Sequence, residues 1–443
     1  MKTFKLGGVH PEENKLSADK SIEVLSLPKT VQIPLSQHLG APAVPVVERG
    51  EMVKTGQLIA KAQGFISANI HSSVSGKVTK IDDIIDSSGY RRKAIVINVA
   101  EDEWEAGIET TTELLKTPII DDSKLVIDKV HEKGVVGLGG ATFPTYVKLM
   151  VPDGKKAEYL VINGVECEPY LTSDHRLMLE KTEEMMVGIQ ILMKTLKVDK
   201  AIIGIEANKP DAIEYVKAIS VKYQGITVDP LKVMYPQGGE KQLIKSVLNR
   251  EVPSGKLPID VGCVVQNVGT CFAVYEAVQK NKPLIERVVS ITGKSVKKPG
   301  NYLVRIGTPV SELIEAAGGL PEDTGKVVNG GPMMGKALNS LDVPVTKGTS
   351  GIVIFPEKES MRPETLNCIR CAKCVSVCAM GLEPYLIAVL SEVGRDEEAE
   401  VEKVMDCIEC GSCSYICPSG RPLLDNIRIA KQKVGQIMRT RTS

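Results

Sequence analysis

The chain lacks any long apolar run. No window approaches the ~18 consecutive apolar residues that a spanning helix needs. The start, Met1-Lys2-Thr3-Phe4-Lys5, leads into glycine and prolines without the apolar core of a signal peptide. No direct membrane span is therefore expected. An excess of one charge is also missing. The 55 basic side chains are matched by 55 acidic ones, so no global field points to nucleic acid or an acidic substrate. Histidine is scarce, and His10, His38, His71, His131 and His175 show no metal-ligand spacing; they are expected at turns or in the core. At 443 residues the chain is too long for one compact core, and a prior of about three domains follows.

What the chain does have is cysteine in two runs. Cys368, Cys371, Cys374 and Cys378 form one C-x2-C-x2-C-x3-C pattern, and Cys407, Cys410, Cys413 and Cys417 form a second. This is the spacing with which ferredoxin-like domains hold 4Fe–4S clusters. Structural zinc fits poorly, because zinc sites pair two short knuckles across a longer gap. Three thiolates on one tight loop grip three corners of a cubane while the fourth points away, and in two-cluster domains that fourth cysteine ligates the other cluster. The expected sets are therefore Cys368, Cys371, Cys374 and Cys417 for one cluster, and Cys407, Cys410, Cys413 and Cys378 for the other. Cys167, Cys263 and Cys271 are scattered. Free thiols together with clusters point to a reducing cytosol, and Cys167 is expected as a small buried side chain.

The fold class expected is multidomain α/β plus β, in four units. Residues 1–120 open with short β-rich runs (22–27, 31–35, 94–99) punctuated by proline and glycine. Within them, residues 44–60 resemble the barrel-sandwich hybrid of biotinyl and lipoyl domains. The stretch that would carry their acceptor lysine, residues 66–76, has no lysine, so a structural or docking role is expected rather than a swinging arm. Residues 121–286 alternate strand-like runs (159–163, 201–205, 226–233) with helical segments (177–196, 210–218), suggesting a parallel or mixed sheet covered by helices. Residues 287–355 suit a β-grasp-like (SLBB-like) unit. Residues 356–364 read as a linker within the last unit, 356–443. There the long spacer between the cysteine runs carries helical spacing at 384–393, which predicts a helical two-cluster ferredoxin domain. The acidic run Asp396-Glu397-Glu398 is expected to be a solvated face. The basic C-terminal segment from Arg428 is expected as a solvated tail or a contact for anionic lipid or an acidic partner.

The second strong feature is glycine-rich: Gly134-Val-Val-Gly137-Leu-Gly139-Gly140-Ala141-Thr142-Phe143-Pro144-Thr145. It is not a dinucleotide fingerprint, since Thr142 stands where G-x-G-x-x-G needs glycine and the preceding residues 125–133 look helical. Such glycines let backbone amides approach a phosphate or an aromatic ring. This segment resembles the FMN and NADH loop in the flavin subunit of respiratory complex I. Asn163-Gly-Val-Glu166-Cys-Glu168-Pro169, Gly239-Glu240-Lys241 and Gln266-Asn267-Val-Gly-Thr270 are similar to further segments of that subunit, in the same order.

The chain as a whole, over essentially residues 4 to 430, resembles the C-subunit family of Rnf ion-translocating ferredoxin:NAD+ oxidoreductases. The opening Phe4-Lys-Leu-Gly7-Gly8-Val9-His10-Pro11, the segment Ile33-Pro-Leu-Ser-Gln37-His38-Leu-Gly-Ala41-Pro42, the glycine-rich loop and the tandem cysteine runs carry the likeness. The resemblance implies two 4Fe–4S clusters, FMN and NAD(H). It places the flavin on Gly137, Gly139, Gly140, Ala141 and Phe143, with Lys148 at its phosphate. Asn163, Glu166, Glu168 and Asn267 become flavin hydrogen-bond candidates, and Glu240 meets ribose hydroxyls. It further implies membrane-spanning and ferredoxin-like B-type partner subunits, and a peripheral place on the cytoplasmic side of the cell membrane. A cobalamin reductase built from the same modules is the nearest alternative, and there the barrel follows the clusters. A non-catalytic electron wire is the other, and the intact glycines argue against it.

Overall fold

The computed structural model describes residues 1–116 and 120–442. Near the N-terminus, strands alternate buried and less buried positions, as in Thr30–Pro34, where Val31 and Ile33 are fully buried between less buried neighbours. One sheet runs in the order Thr30–Pro34, Arg91–Val99, Gly76–Ile85, Met52–Val53; a second comprises Val44–Pro45, Leu58–Lys61 and Ile70–His71. Val31, Ile33, Ile59, Ile70, Val78, Ile95 and Ile97 fill the space between them.

The central unit is a four-stranded parallel sheet ordered Ile226–Leu231, Ala201–Glu206, Tyr159–Asn163, Cys263–Asn267. Successive residues of each strand serve opposite faces. Leu160 and Ile162 pack under the helices Ser123–Glu132, Ser173–Glu180, Thr182–Leu196 and Val268–Gln279, while Val161 packs with Leu243, Ile244 and Val247 of the helix Glu240–Leu248. The single helix expected over 177–196 is two helices that break at Lys181 (φ −129°, ψ 32°). Neither glycine nor proline marks the break, so nothing local announces it.

The β-grasp sheet has the order Ile22–Val24, Gly300–Arg305, Glu286–Thr292, Gly351–Pro356, Thr324–Asn329, Lys336–Ala337. Its first strand corrects an expectation. Ile22–Val24 does not join the barrel but pairs in parallel with residues 301–303. A three-residue run carries no signal of its partner, and the partner lies at the other end of the chain. The expected linker after this sheet includes a short helix, Glu357–Ser360, held by Lys326 Nζ on Ser360 O at 2.8 Å.

The last unit is helical: Lys373–Ser376, Pro384–Glu392, Asp396–Val401, Ser412–Ile416 and Leu423–Thr442. The basic C-terminal segment is neither a loose tail nor a free cationic face. Arg428 and Lys431 reach Glu409 at 3.1 and 3.0 Å, Lys433 reaches Asp396 at 3.6 Å, and Arg441 reaches Glu400 at 2.8 Å. The acidic run is accordingly a partner of this helix rather than only a solvated face.

Three units meet at Lys347. Its buried ammonium donates to Asn69 O of the barrel at 2.8 Å and to Gly134 O at the start of the glycine-rich loop at 2.7 Å. Burial holds its pKa down at about 7, against 10.5 for a free lysine. The unfolded chain therefore binds a proton that the folded chain releases between those values, and stability gains from rising pH across that window. We expect the melting temperature of the parent to improve relative to Lys347→Met as pH rises from 7 towards 10.5. Parallel melting curves across the window would refute the assignment.

Candidate cofactor and cluster sites

The glycine-rich loop begins where the helix Ser123–Glu132 ends, and that helix is started by Asp122, whose side chain accepts from Lys124 N at 2.8 Å. Gly137 N donates to Phe143 O at 2.8 Å and Leu138 N to Thr270 Oγ1 at 2.9 Å. The loop is thus a closed turn pinned on the N-terminus of the helix Val268–Gln279. Gly139, Gly140 and Ala141 stand exposed at its tip. At Gly140 φ is +130°, and no atom lies within 4 Å of where a Cβ would sit. At Gly139 a Cβ would meet Asn267 Cβ at 3.3 Å. Asn267 and Asn163 are register partners at the carboxyl ends of adjacent parallel strands, the edge at which open α/β sheets bind ligands. Gly137, Gly139, Gly140, Asn163 and Asn267 therefore come together.

The polar candidates divide. Asn163 Nδ2 donates to Gly238 O at 2.8 Å, and Asn267 Nδ2 donates to Asp174 Oδ2 at 2.7 Å while its Oδ1 caps Gly269 N at 2.8 Å. Lys148 Nζ lies 2.7 Å from Glu240 Oε1, so the side chains expected at a phosphate and at a ribose neutralise each other. Both remain partly exposed. Glu166 caps the helix Ser173–Glu180, accepting from Asp174 N at 2.8 Å and His175 N at 3.1 Å. Glu168 reaches the β-grasp unit, accepting from Met334 N at 2.8 Å and Met333 N at 3.1 Å. Burial pushes its carboxyl up to about 7.

One cysteine of the first run lies with three of the second. Cys378 lines one cavity, partly open to solvent, together with Cys407, Cys410 and Cys413. Leu382, Pro384, Ile387, Leu424 and Ile427 complete its apolar wall. Burial, with the neighbouring thiols adding to it, pushes Cys413 up to about 12; burial lifts Cys407 to about 11. Cys374 is instead within electrostatic reach of Cys417, while Cys368 and Cys371 are exposed. Four thiols around an apolar space suit an iron–sulfur cluster, and the exposed glycine turn flanked by asparagines and Lys148 suits a flat ring bearing a phosphate.

Comparison with known proteins bears on this arrangement. Residues 2–102 match the RnfC barrel sandwich hybrid domain model and residues 130–276 the Nuo51 FMN-binding domain; residues 288–337 match the SLBB domain and residues 360–418 the 4Fe-4S dicluster domain. The chain is 46% identical to the C subunit of the proton-translocating ferredoxin:NAD(+) oxidoreductase complex of Clostridium ljungdahlii, over 91% of this chain and 87% of that one. The chain belongs to the Rnf C-subunit family. It is 44% identical to the C subunit of the Na(+)-translocating ferredoxin:NAD(+) oxidoreductase complex of Acetobacterium woodii, covering 98% of this chain and 97% of the relative. It is 41% identical to the C subunit of the ion-translocating oxidoreductase complex of Rhodobacter capsulatus, covering 97% and 83%. A solved NAD+-reducing [NiFe]-hydrogenase in the H2-reduced state shares the fold, with a TM-score of 0.52 and 18% identity over 73% of this chain and 65% of that chain.

Some residues beside the glycine-rich loop and the cysteine cavity carry no sequence signal. Asp174 is partly buried and bonded to Asn267, and burial lifts its pKa, with the nearby Glu166 adding to the shift. Tyr235 OH donates to Cys410 O at 2.8 Å, and Gln242 Nε2 donates to Ala379 O at 3.0 Å. All depend on contacts far along the chain. Cys167 behaves as a small packed thiol, raised by burial and accepting from Gly238 N at 3.3 Å.

Proposed function

We propose that the chain is the peripheral electron-transfer subunit of a membrane-bound, ion-translocating ferredoxin:NAD+ oxidoreductase. It exchanges a hydride with NAD(H) at FMN and relays single electrons through two 4Fe–4S clusters. The cavity of Cys378, Cys407, Cys410 and Cys413 carries this reading, because it abuts the flavin unit through Tyr235 and Gln242. FMN, when bound, supplies the change from two-electron to one-electron chemistry.

The chain's own residues do the rest. Gly137, Gly139, Gly140, Ala141 and Phe143 form the cradle, with Asn163 and Asn267 at its floor. Lys148 and Glu240 are placed to exchange their mutual ion pair for phosphate and ribose contacts. Glu166 and Glu168 act by positioning, one on a helix start and the other on the β-grasp loop. The cluster of the second run, with Cys378, is proximal to the flavin. That of Cys368, Cys371, Cys374 and Cys417 is distal, and the exposure of Cys368 and Cys371 suits hand-over to the partner subunits.

The units run 1–120, 121–286, 287–355 and 356–443, with Ile22–Val24 lent to the third. No helix among the described residues is long and apolar enough to cross a membrane. Attachment is through the spanning and ferredoxin-like B-type subunits, on the cytoplasmic side, where free thiols and clusters persist.

Anaerobic reconstitution should load about eight irons, about eight sulfides and one FMN. Stoichiometric zinc without acid-labile sulfide would sink the cluster assignment. With Cys371 and Cys410 replaced, stopped-flow spectra should still show flavin bleaching by NADH while onward transfer stops. Loss of bleaching in folded protein would mean that nicotinamide does not enter at the flavin unit.

A further inference from the structure

The first residues precede the barrel in sequence but do not pack in it. Lys232 N donates to Lys2 O at 2.9 Å and Lys2 Nζ pairs with Asp229 at 2.7 Å, beside the edge strand Ile226–Leu231 of the parallel sheet. Phe4 is buried. Further along, Val9 N donates to Tyr235 O at 2.8 Å and Tyr235 N to Val9 O at 2.9 Å, a closed antiparallel bridge. Between these anchors the segment crosses the cluster unit, where Gly8 N donates to Val377 O at 2.9 Å.

The approach is as close as backbone allows. A Cβ on Gly7 (φ +69°) would stand 2.6 Å from Cys378 C and from Val377 O, and one on Gly8 (φ +98°) 2.6 Å from Met234 Sδ. At Gly7 the obstructing atoms are backbone, so no side chain fits; at Gly8 they are side chains, and the positive φ is what favours glycine. The same bridge reaches a second cysteine of the cavity, because Tyr235, which pairs with Val9, donates its buried hydroxyl to Cys410 O at 2.8 Å. Cys378 and Cys410 come from different runs and line one cavity. Both loops meet the flavin unit at the Val9–Tyr235 bridge, and Gln242 adds a tie at Ala379 O.

We infer that residues 1–10 are a strap belonging to the electron-transfer site, and that Gly7, Gly8 and Tyr235 are positioning residues that set the seating of the proximal cluster. This rests on the ligand set proposed above. Hydrogen bonding and solvent exposure around the sulfurs are levers on cluster potential. The strap works through the loop rather than at a sulfur: it covers the Cys378 backbone and takes up the Val377 carbonyl. Tyr235 does the same for the Cys410 carbonyl.

The test uses the full chain reconstituted anaerobically with iron, sulfide and FMN. Gly7→Ala should shift the midpoint potential and EPR line shape of the second-run cluster, or prevent its loading, and leave the first-run cluster unchanged. Flavin bleaching by NADH should stay at the parent rate, while transfer from flavin to clusters slows because the accepting cluster has been reseated. Tyr235→Phe removes only a hydroxyl and should shift the same signal in a protein that loads fully. If both variants keep the parent's potential, line shape and transfer rate, the strap is mere packing and the inference falls. A failure of the ligand set reads out separately, as Cys378→Ser leaving the second-run signal in place.

Discussion

Cys378→Ser is expected to abolish the EPR signal of the cluster held by Cys407, Cys410 and Cys413 while the cluster of the first run survives. About half of the iron should be lost. The geometry behind this is that Cys378, following the helix Lys373–Ser376, lines the cavity of the other run. The mirror substitution, Cys417→Ser, should perturb the cluster of Cys368, Cys371 and Cys374, because Cys417 follows the helix Ser412–Ile416 and acts on Cys374. Serine in place of Cys378 leaves that corner of the cubane without a thiolate, and Ser412, a hydroxyl already lining the cavity, sits beside Cys410. If each substitution instead disturbs its own run's cluster, the crossed ligation is wrong.

Valine at Gly139 or Gly140 is expected to reduce FMN retention to near zero with both clusters still loaded. At Gly140 the φ of +130° is one that L-residues rarely adopt, and a strained backbone there costs about 1–3 kcal/mol before any flavin is considered. The added isopropyl group would also occupy the open space over the loop. At Gly139 the first added carbon already meets Asn267 at 3.3 Å. The branched side chain would press on the asparagine that caps the helix Val268–Gln279 and holds Asp174. The readouts are flavin content after gel filtration and iron content of the same sample. Full flavin content with NADH-dependent bleaching in either variant would show that the cradle lies elsewhere.

Much of the architecture was legible because it rests on local pattern. The strand Tyr159–Asn163 and the helix starting at Pro210 stand where periodicity and punctuation placed them. The cysteine spacing identifies the cluster unit because ligand bite is a short-range constraint. The roles of Glu166 and Glu168 were not legible in the same way. Two acids separated by one residue look alike in sequence, yet one caps the next helix and the other spans to Met333 and Met334. Likewise, nothing in the basic composition of the last helix foretold that Glu409, Asp396 and Glu400 would take its charges.

The sequence by itself determined the ingredients: the paired cysteine runs, the glycine-rich turn, the β-to-α/β-to-β order of units, and membership of a recognisable family. Each follows from residue types at short spacing, where covalent geometry and local hydrogen bonding dominate. Tertiary structure alone decided that Lys148 faces Glu240, that Lys347 joins three units, and that Gly7 lies against a cysteine far along the chain. Those pairings are between residues distant in sequence. They are selected by the packing of whole sheets and helices, because a buried charge or backbone group must find whichever partner the fold brings within reach.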